Sequence, residues 1–166
     1  MKKYKIIFCD LDDTLIETIS GESFPKGIWD MKIKFNVLDK IKKLKPSFLF
    51  IISNQGGIEK GFVNEYHFCT KLGFIVQSIE EYCNIAVDYY YCSSNNKDDE
   101  NRKPNYGMLE DALVEYDIPC DKSEMLMIGD ASGKPGQFSD SDKKTAENFG
   151  IDYLDIEDFC KTNFNN

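Results

Sequence analysis

The chain has 166 residues, 42% of them apolar, which allows one substantial core and is too short for two independently folded domains, so a single domain over residues 1–166 is expected. Twenty basic against twenty-nine acidic side chains give a net charge of -9, which excludes a broad electrostatic grip on nucleic acid and leaves only a local one. Six cysteines (Cys9, Cys69, Cys83, Cys92, Cys120 and Cys160) fall in no C-x-x-C or Cys/His spacing, which argues against a zinc site and a disulfide framework and for reduced thiols inside a cell.

The opening MKKYKIIFCD carries basic residues before an apolar run that is too short for a signal sequence or a membrane span, so a soluble, unexported protein is expected. The stretch Lys5 to Asp10 reads as the first strand, and Phe35 to Lys45 as a helix. A second strand, Phe48 to Asn54, leads to a helix over Asn64 to Asn84. That helix carries the sole histidine, His67, between Tyr66 and Phe68, where packing is expected rather than triad chemistry. Ile85 to Cys92 is a less regular strand, and the polar segment Asn95 to Lys103 (NNKDDENRK) reads as a loop. A helix over Gly107 to Tyr116, a strand from Met125 to Asp130 and a helix over Asp140 to Phe149, stopped by Gly150, complete the pattern. Near-continuous apolar strands alternating with helices predict a doubly wound α/β fold, its mostly parallel sheet covered on both faces.

Ligands of such sheets bind beyond the carboxyl ends of the strands, where Asp10, Ser53 with Asn54, and Asp130 all fall. In DLDDT, Asp10 to Thr14, alternation along an extended backbone turns Asp10 and Asp12 to one side, where one carboxylate can bind metal and attack while the other handles protons. Unpartnered buried acids are costly, which is a reason to expect a cation. Each residue also has a plainer reading: Asp12 or Asp13 capping a turn, Ser53 in a strand-to-loop turn, Lys103 on a charged surface loop.

The order of DLDDTL (Asp10 to Leu15), ISNQ (Ile52 to Gln55), RKP (Arg102 to Pro104) and IGD (Ile128 to Asp130) resembles the four motifs of haloacid dehalogenase-type phosphatases. SGESFPKGIWD (Ser20 to Asp30), SNQGGIEKG (Ser53 to Gly61), RKPNYGM (Arg102 to Met108) and GDASGKPGQFSDSDKKTAENFGI (Gly129 to Ile151) narrow the resemblance to the polynucleotide 3'-phosphatase branch, the phosphatase half of polynucleotide kinase-phosphatases. The resemblance covers about Tyr4 to Phe159 and implies a Rossmann-type fold without a large cap domain. It implies Asp10 as nucleophile, passing through an aspartyl-phosphate, and Asp12 as the acid that protonates the leaving sugar oxygen and then activates water. It implies Mg²⁺ held by the Asp10 carboxylate, the Asp12 carbonyl and the Asp130 carboxylate, with Ser53, Asn54 and Lys103 at the phosphate. Asp142 would support Lys103 or a metal-bound water, with Asp140 as its rival or as a helix N-cap. Asp13 stands where many members have glycine, and Ser53 replaces a frequent threonine.

The implied substrate is a 3'-phosphorylated nucleic acid end, DNA favoured over RNA, in end repair. Trp29, with Phe24 and Phe35, could offer stacking to a terminal base, while core packing is the expected role for most of these aromatics, Trp29 standing evenly between the two. One rival is a small-molecule phosphatase acting on histidinol phosphate or a heptose bisphosphate, although YCSSNNKDDENRKP lacks the Cys/His loop that several of those carry. Another is an inactive binding module, which the joint presence of Asp10, Asp12, Lys103 and Asp130 opposes. No ATP site is expected, because GDASGKP (Gly129 to Pro135) has the wrong spacing for a phosphate-cradling loop, and no membrane partner is expected.

Overall fold

The structure is a computed structural model and describes residues 4–119 and 121–164. Strand β1 (Ile6–Cys9) is central, paired in parallel with β4 (Phe48–Asn54) on one side and β6 (Met125–Gly129) on the other. Parallel strands β5 (Ala86–Cys92) and β7 (Asp152–Asp155) form the edges, giving the order β5-β4-β1-β6-β7. A small antiparallel hairpin, β2 (Ile16–Glu17) with β3 (Lys32–Ile33), follows β1.

Side chains alternate across each buried strand, so one sequence run feeds two cores. Ile7 and Cys9 of β1, Leu49 and Ile51 of β4, and Leu126 and Ile128 of β6 pack with α1 (Phe35–Leu44), α3 (Glu65–Cys83) and α6 (Ile156–Lys161). Ile6, Phe8, Phe50, Ile52, Met125 and Met127 pack with α4 (Gly107–Glu115) and α5 (Ser141–Phe149) on the other face. Each fully buried aliphatic side chain contributes about 1.5–3 kcal/mol relative to exposure, which is why both faces must be covered. The doubly wound α/β reading is the observed architecture, and among the described residues no helix is long and apolar enough to cross a membrane.

The chain leaves β1 toward α1 on one face and leaves the adjacent β6 toward α5 on the other. Loops that part in opposite directions open a crevice at the carboxyl ends of these strands. Helix ends follow local chemistry. Asn64 caps α3 by accepting the His67 N–H at 3.0 Å, while Lys45, Asn84 and Gly150 end α1, α3 and α5 in the left-handed conformation.

Several expectations need correcting. The strand over Ile85 to Cys92 begins at Ala86, and the first and last long strands stop one residue short of Asp10 and Asp130. His67 is exposed beside an exposed Tyr66, and Phe68 alone of the three is buried, because the helix turns successive residues by about 100° and only one of them can face the sheet. Cys9, Cys69, Cys83, Cys92 and Cys160 are free thiols, and Cys120 lies outside the described residues.

Candidate active site

The site begins where β1 ends. The Asp10 N–H still donates to the Ile128 carbonyl at 2.9 Å, extending the β1–β6 ladder by one residue and fixing the Asp10 backbone at the crevice. Asp13 then takes a left-handed conformation at φ 57°, which aspartate tolerates better than most side chains. The glycine that the resemblance implies at this position would take the same conformation without a side-chain penalty.

Lys103 is the electrostatic centre, only 5% exposed. Its ammonium donates to Asp10 Oδ1 at 2.6 Å, Asp142 Oδ1 at 2.7 Å and the Ile52 carbonyl at 3.0 Å, so its three protons are all used. Burial alone would push the Lys103 ammonium down, but the charges of Asp10 and Asp142 outweigh it and hold the group above the ordinary lysine range. The plainer reading of Lys103 as a surface residue is overturned, because the loop folds back over the sheet rim and places it inside.

Asp10 is buried, and its second oxygen accepts from the Thr14 hydroxyl at a marginal 3.5 Å, with the Asp130 carboxylate beside it. The same hydroxyl lies 3.2 Å from Asp130 Oδ1, and a single proton serves one carboxylate at a time. Carboxylate oxygens of Asp10, Asp130 and Asp142 lie within 4.8 Å of one another. Three acids against one ammonium leave a formal excess of two negative charges. Burial, reinforced by the neighbouring carboxylates, accordingly pushes Asp10 well above the ordinary carboxylate range, and burial and Asp142 raise Asp130. An oxygen-only cluster with that charge excess fits a hard divalent cation such as Mg²⁺. Asp142 is 1% exposed, and its oxygens are engaged by Lys103 and by the Ala131 N–H at 3.0 Å, which leaves Asp10 and Asp130 the freer of the three.

Asp142 sits in the first turn of α5, where the helix dipole favours its charge. Asp140 occupies the N-cap position, but its side chain makes no capping bond and pairs with Lys144 at 2.7 Å on the surface. Gly129 explains the glycine of IGD, since a Cβ there would collide with the Asp142 carboxylate.

On the β4 side, Ser53 is buried and Asn54 grips the backbone of Lys103, accepting its N–H at 2.9 Å and donating to its carbonyl at 3.0 Å. Gln55 donates to Ser53 Oγ at 2.8 Å and to Asp12 Oδ2 at 2.7 Å, tying the exposed Asp12 to the rim. Because Ser53 Oγ accepts from Gln55, its own proton is available to an incoming oxygen. The structure thus brings Asp10, Lys103, Asp130 and Asp142 into one cluster, with Asp12, Ser53 and Asn54 on its margin. Sequence reasoning passed over Thr14, Gln55 and Gly129 as individuals, although each lies inside a quoted motif.

Phe24 pairs with Phe62 at 5.2 Å and Phe35 with Tyr82 at 5.1 Å, while Trp29 is 76% exposed with its indole over Gly27; all three are exposed, which corrects the expectation that most of them pack in the core.

The model of the family described as polynucleotide kinase 3 phosphatase matches residues 5–160, nearly the whole chain. The chain belongs to this polynucleotide kinase 3 phosphatase family. A bifunctional polynucleotide phosphatase/kinase from Schizosaccharomyces pombe is 34% identical over 161 residues, which are 95% of this chain but 38% of that protein, so the match spans well under half of the yeast protein. A D-glycero-beta-D-manno-heptose-1,7-bisphosphate 7-phosphatase from Haemophilus influenzae is 30% identical over 135 residues, covering 76% of this chain and 71% of that one. In structure, a D,D-heptose 1,7-bisphosphate phosphatase from B. bronchiseptica, solved with magnesium and phosphate, superposes with a TM-score of 0.69 at 19% identity, covering 90% of this family member and 78% of the other chain. A protein from Mesorhizobium loti described as a HAD-like phosphatase superposes with a TM-score of 0.68 at 20% identity, covering 91% of this chain and 71% of the other. The two likenesses show a haloacid dehalogenase-like (HAD-like) fold, with no separate cap among the described residues.

Proposed function

We propose that this family member is a Mg²⁺-dependent phosphatase that removes the 3'-phosphate from a nucleic acid end, DNA in particular, as a step in strand-end repair. The observation that carries the reading is the buried Lys103 ammonium between Asp10 and Asp142, with Asp130 beside them. A phosphate dianion brought there meets a positive charge already positioned, and Asp10 keeps one oxygen that the Lys103 ammonium does not hold.

In this mechanism an Asp10 oxygen attacks phosphorus as the bond to the sugar oxygen breaks, and Asp12, entering protonated, gives its proton to that oxygen. The aspartyl-phosphate is then hydrolysed: Asp12 takes a proton from water, the water oxygen attacks phosphorus, and the bond to Asp10 breaks. Gln55 holds Asp12 in place, Ser53 binds a phosphate oxygen, and Lys103 supplies positive charge to the phosphoryl group. Mg²⁺, held by the carboxylates of Asp10 and Asp130 and the Asp12 carbonyl, would neutralise the excess charge and polarise the phosphoryl group. Asn54 and Asp142 position Lys103.

The nucleic-acid assignment draws on the family match and the yeast relative; the heptose phosphatase relative supports a second reading, a small-molecule bisphosphate as substrate. Phosphate release should be measured side by side from a 3'-phosphorylated oligonucleotide, its 5'-phosphorylated counterpart, a 3'-mononucleotide and a sugar bisphosphate. The expected result is preference for the 3'-phosphorylated oligonucleotide, with the 5' end untouched. Preference for the sugar bisphosphate would sink the end-processing reading and leave the phosphatase one.

A further inference from the structure

Away from the carboxylate cluster, a cleft opens between the segment Pro25 to Ile28 and the first turns of α3, with Phe62, His67 and Lys71 among its walls. Lys71 is 4% exposed, yet among the described residues its ammonium has no carboxylate or hydrogen-bond partner; its recorded contact is with the face of Phe68, 5.6 Å to the ring centroid. Its stem is buried, and because among the described residues no fully buried side-chain nitrogen lacks a hydrogen-bond partner, the ammonium itself reaches into the cleft. The lysine therefore lacks a counter-charge, and the cleft it lines is where one can enter.

The surroundings suit an anion. Lys26 stands on the facing wall, its nearest acid being an exposed Glu22 at 3.8 Å, and the N-terminal end of the 19-residue α3 adds partial positive charge. The nearby acids are turned elsewhere. Asp30 accepts the Ser20 N–H at 2.8 Å, the Ser20 hydroxyl at 2.6 Å and the Lys26 N–H at 2.9 Å, and Glu65 accepts from the Tyr91 hydroxyl at 2.9 Å. The Asp30 bonds also pin both ends of the loop that forms the wall.

Both walls adjoin the site already described. The loop leaves β2, whose Ile16 bridges to Asp12, and the other wall follows the short helix α2 (Gly56–Glu59), which begins immediately after Gln55. Phe24 and Val63, one from each side, meet at Gly57.

We propose that this cleft is a second phosphate-binding site, taking another phosphate group of the substrate whose terminal phosphate reaches Asp10. Resting on the function proposed above, that group is the internucleotide phosphodiester next to the 3' end; in a sugar bisphosphate it is the phosphate that is not cleaved. The test compares wild type with Lys71→Met, which keeps length and packing, Lys71→Arg, which keeps charge, and Lys26→Ala, an exposed site with little bearing on folding. KM and kcat are measured for a 3'-phosphorylated trinucleotide, a sugar bisphosphate and p-nitrophenyl phosphate. In Lys71→Met the KM of the two-phosphate substrate, relative to that of p-nitrophenyl phosphate, should rise about tenfold with the kcat ratio unmoved, Lys71→Arg should restore it, and Lys26→Ala should raise it several-fold. Equal KM changes on all substrates, or none, would overturn the proposal. If only the bisphosphate is hydrolysed, the nucleic-acid reading fails while the KM ratio still tests the cleft. Independently of turnover, inorganic phosphate titrated into wild type should move the His67 imidazole resonances in NMR spectra, and the movement should vanish in Lys71→Met. No movement in wild type would also overturn the site.

Discussion

The side-chain amide of Asn54 closes on both backbone polar groups of Lys103, accepting its N–H and donating to its carbonyl, so the residue at the end of β4 sets where a lysine 49 positions later enters the site. The ammonium then has three acceptors fixed by the sheet and by α5. Asn54→Ala frees that backbone and leaves a partly buried N–H and carbonyl without partners. The expected cost is about 1–3 kcal/mol in stability and a fall in kcat of about 10²-fold through misplacement of Lys103. Thermal denaturation alongside steady-state kinetics checks both; an active variant of wild-type kcat would remove Asn54 from the positioning role.

Two glycine substitutions should move stability in opposite directions. Gly129→Ala drives a methyl group into the Asp142 carboxylate, and overpacking of this kind costs about 1–3 kcal/mol while displacing a partner of Lys103. Gly73→Ala, inside α3 with open space around the added Cβ, should stabilise by about 0.5–1 kcal/mol. Urea denaturation of the two variants gives the sign directly, and a neutral Gly129→Ala would mean that Asp142 can shift without consequence.

The parts of the fold legible in the sequence were those with strong one-dimensional signals. KIIFCD, FLFIISN and MLMIGD are buried on both faces, so their apolar runs are continuous and break sharply at the polar residues of the rim. Edge strand β7 has only Asp152 to Asp155, with an acid at each end hiding its apolar centre, and β2 and β3 are two residues each, too short for any periodicity. Lys103 was readable through RKP rather than through its surroundings, since NNKDDENRK has the composition of solvated surface and nothing local announces that Asn54 will draw its end inward. Thr14 and Gln55 are small polar residues whose importance lies in what they touch, and those partners, Asp130 and Asp12, are distant in sequence.

Asp12→Asn should separate the two proton-transfer demands of the proposed reaction. A sugar alkoxide leaves poorly without a proton, so loss of the acid should slow sugar-phosphate cleavage by about 10²- to 10⁴-fold, while p-nitrophenyl phosphate, with its better leaving group, should retain part of its rate in the first step. Asp10→Asn should abolish turnover on both, because an amide oxygen cannot form the aspartyl-phosphate. Single-turnover measurements with the two substrates decide the matter. Equal losses in Asp12→Asn would argue for a structural tie through Gln55 in place of acid–base work, and residual activity in Asp10→Asn above a tenth of wild type would remove it as nucleophile.

The charge excess at the rim makes metal binding a stability effect as well as a catalytic one. Asp10, Asp130 and Asp142 crowd around a single ammonium, and burial pushes Asp10 and Asp130 toward their protonated forms. A divalent cation relieves that repulsion in the folded chain and has no comparable cluster to bind in the unfolded one. At a Mg²⁺ concentration about a hundred times its Kd the folded state should gain about 2.7 kcal/mol, which in a chain of this size is a rise in Tm of roughly 5–10 °C. EDTA should reverse the rise and remove activity. In Asp130→Asn the metal-free protein should be no less stable than wild type, since one of the crowded charges is gone, while the increment with Mg²⁺ should shrink to a degree or two. A thermal shift unchanged by Mg²⁺ in wild type, or an undiminished shift in Asp130→Asn, would remove Asp130 from the metal site.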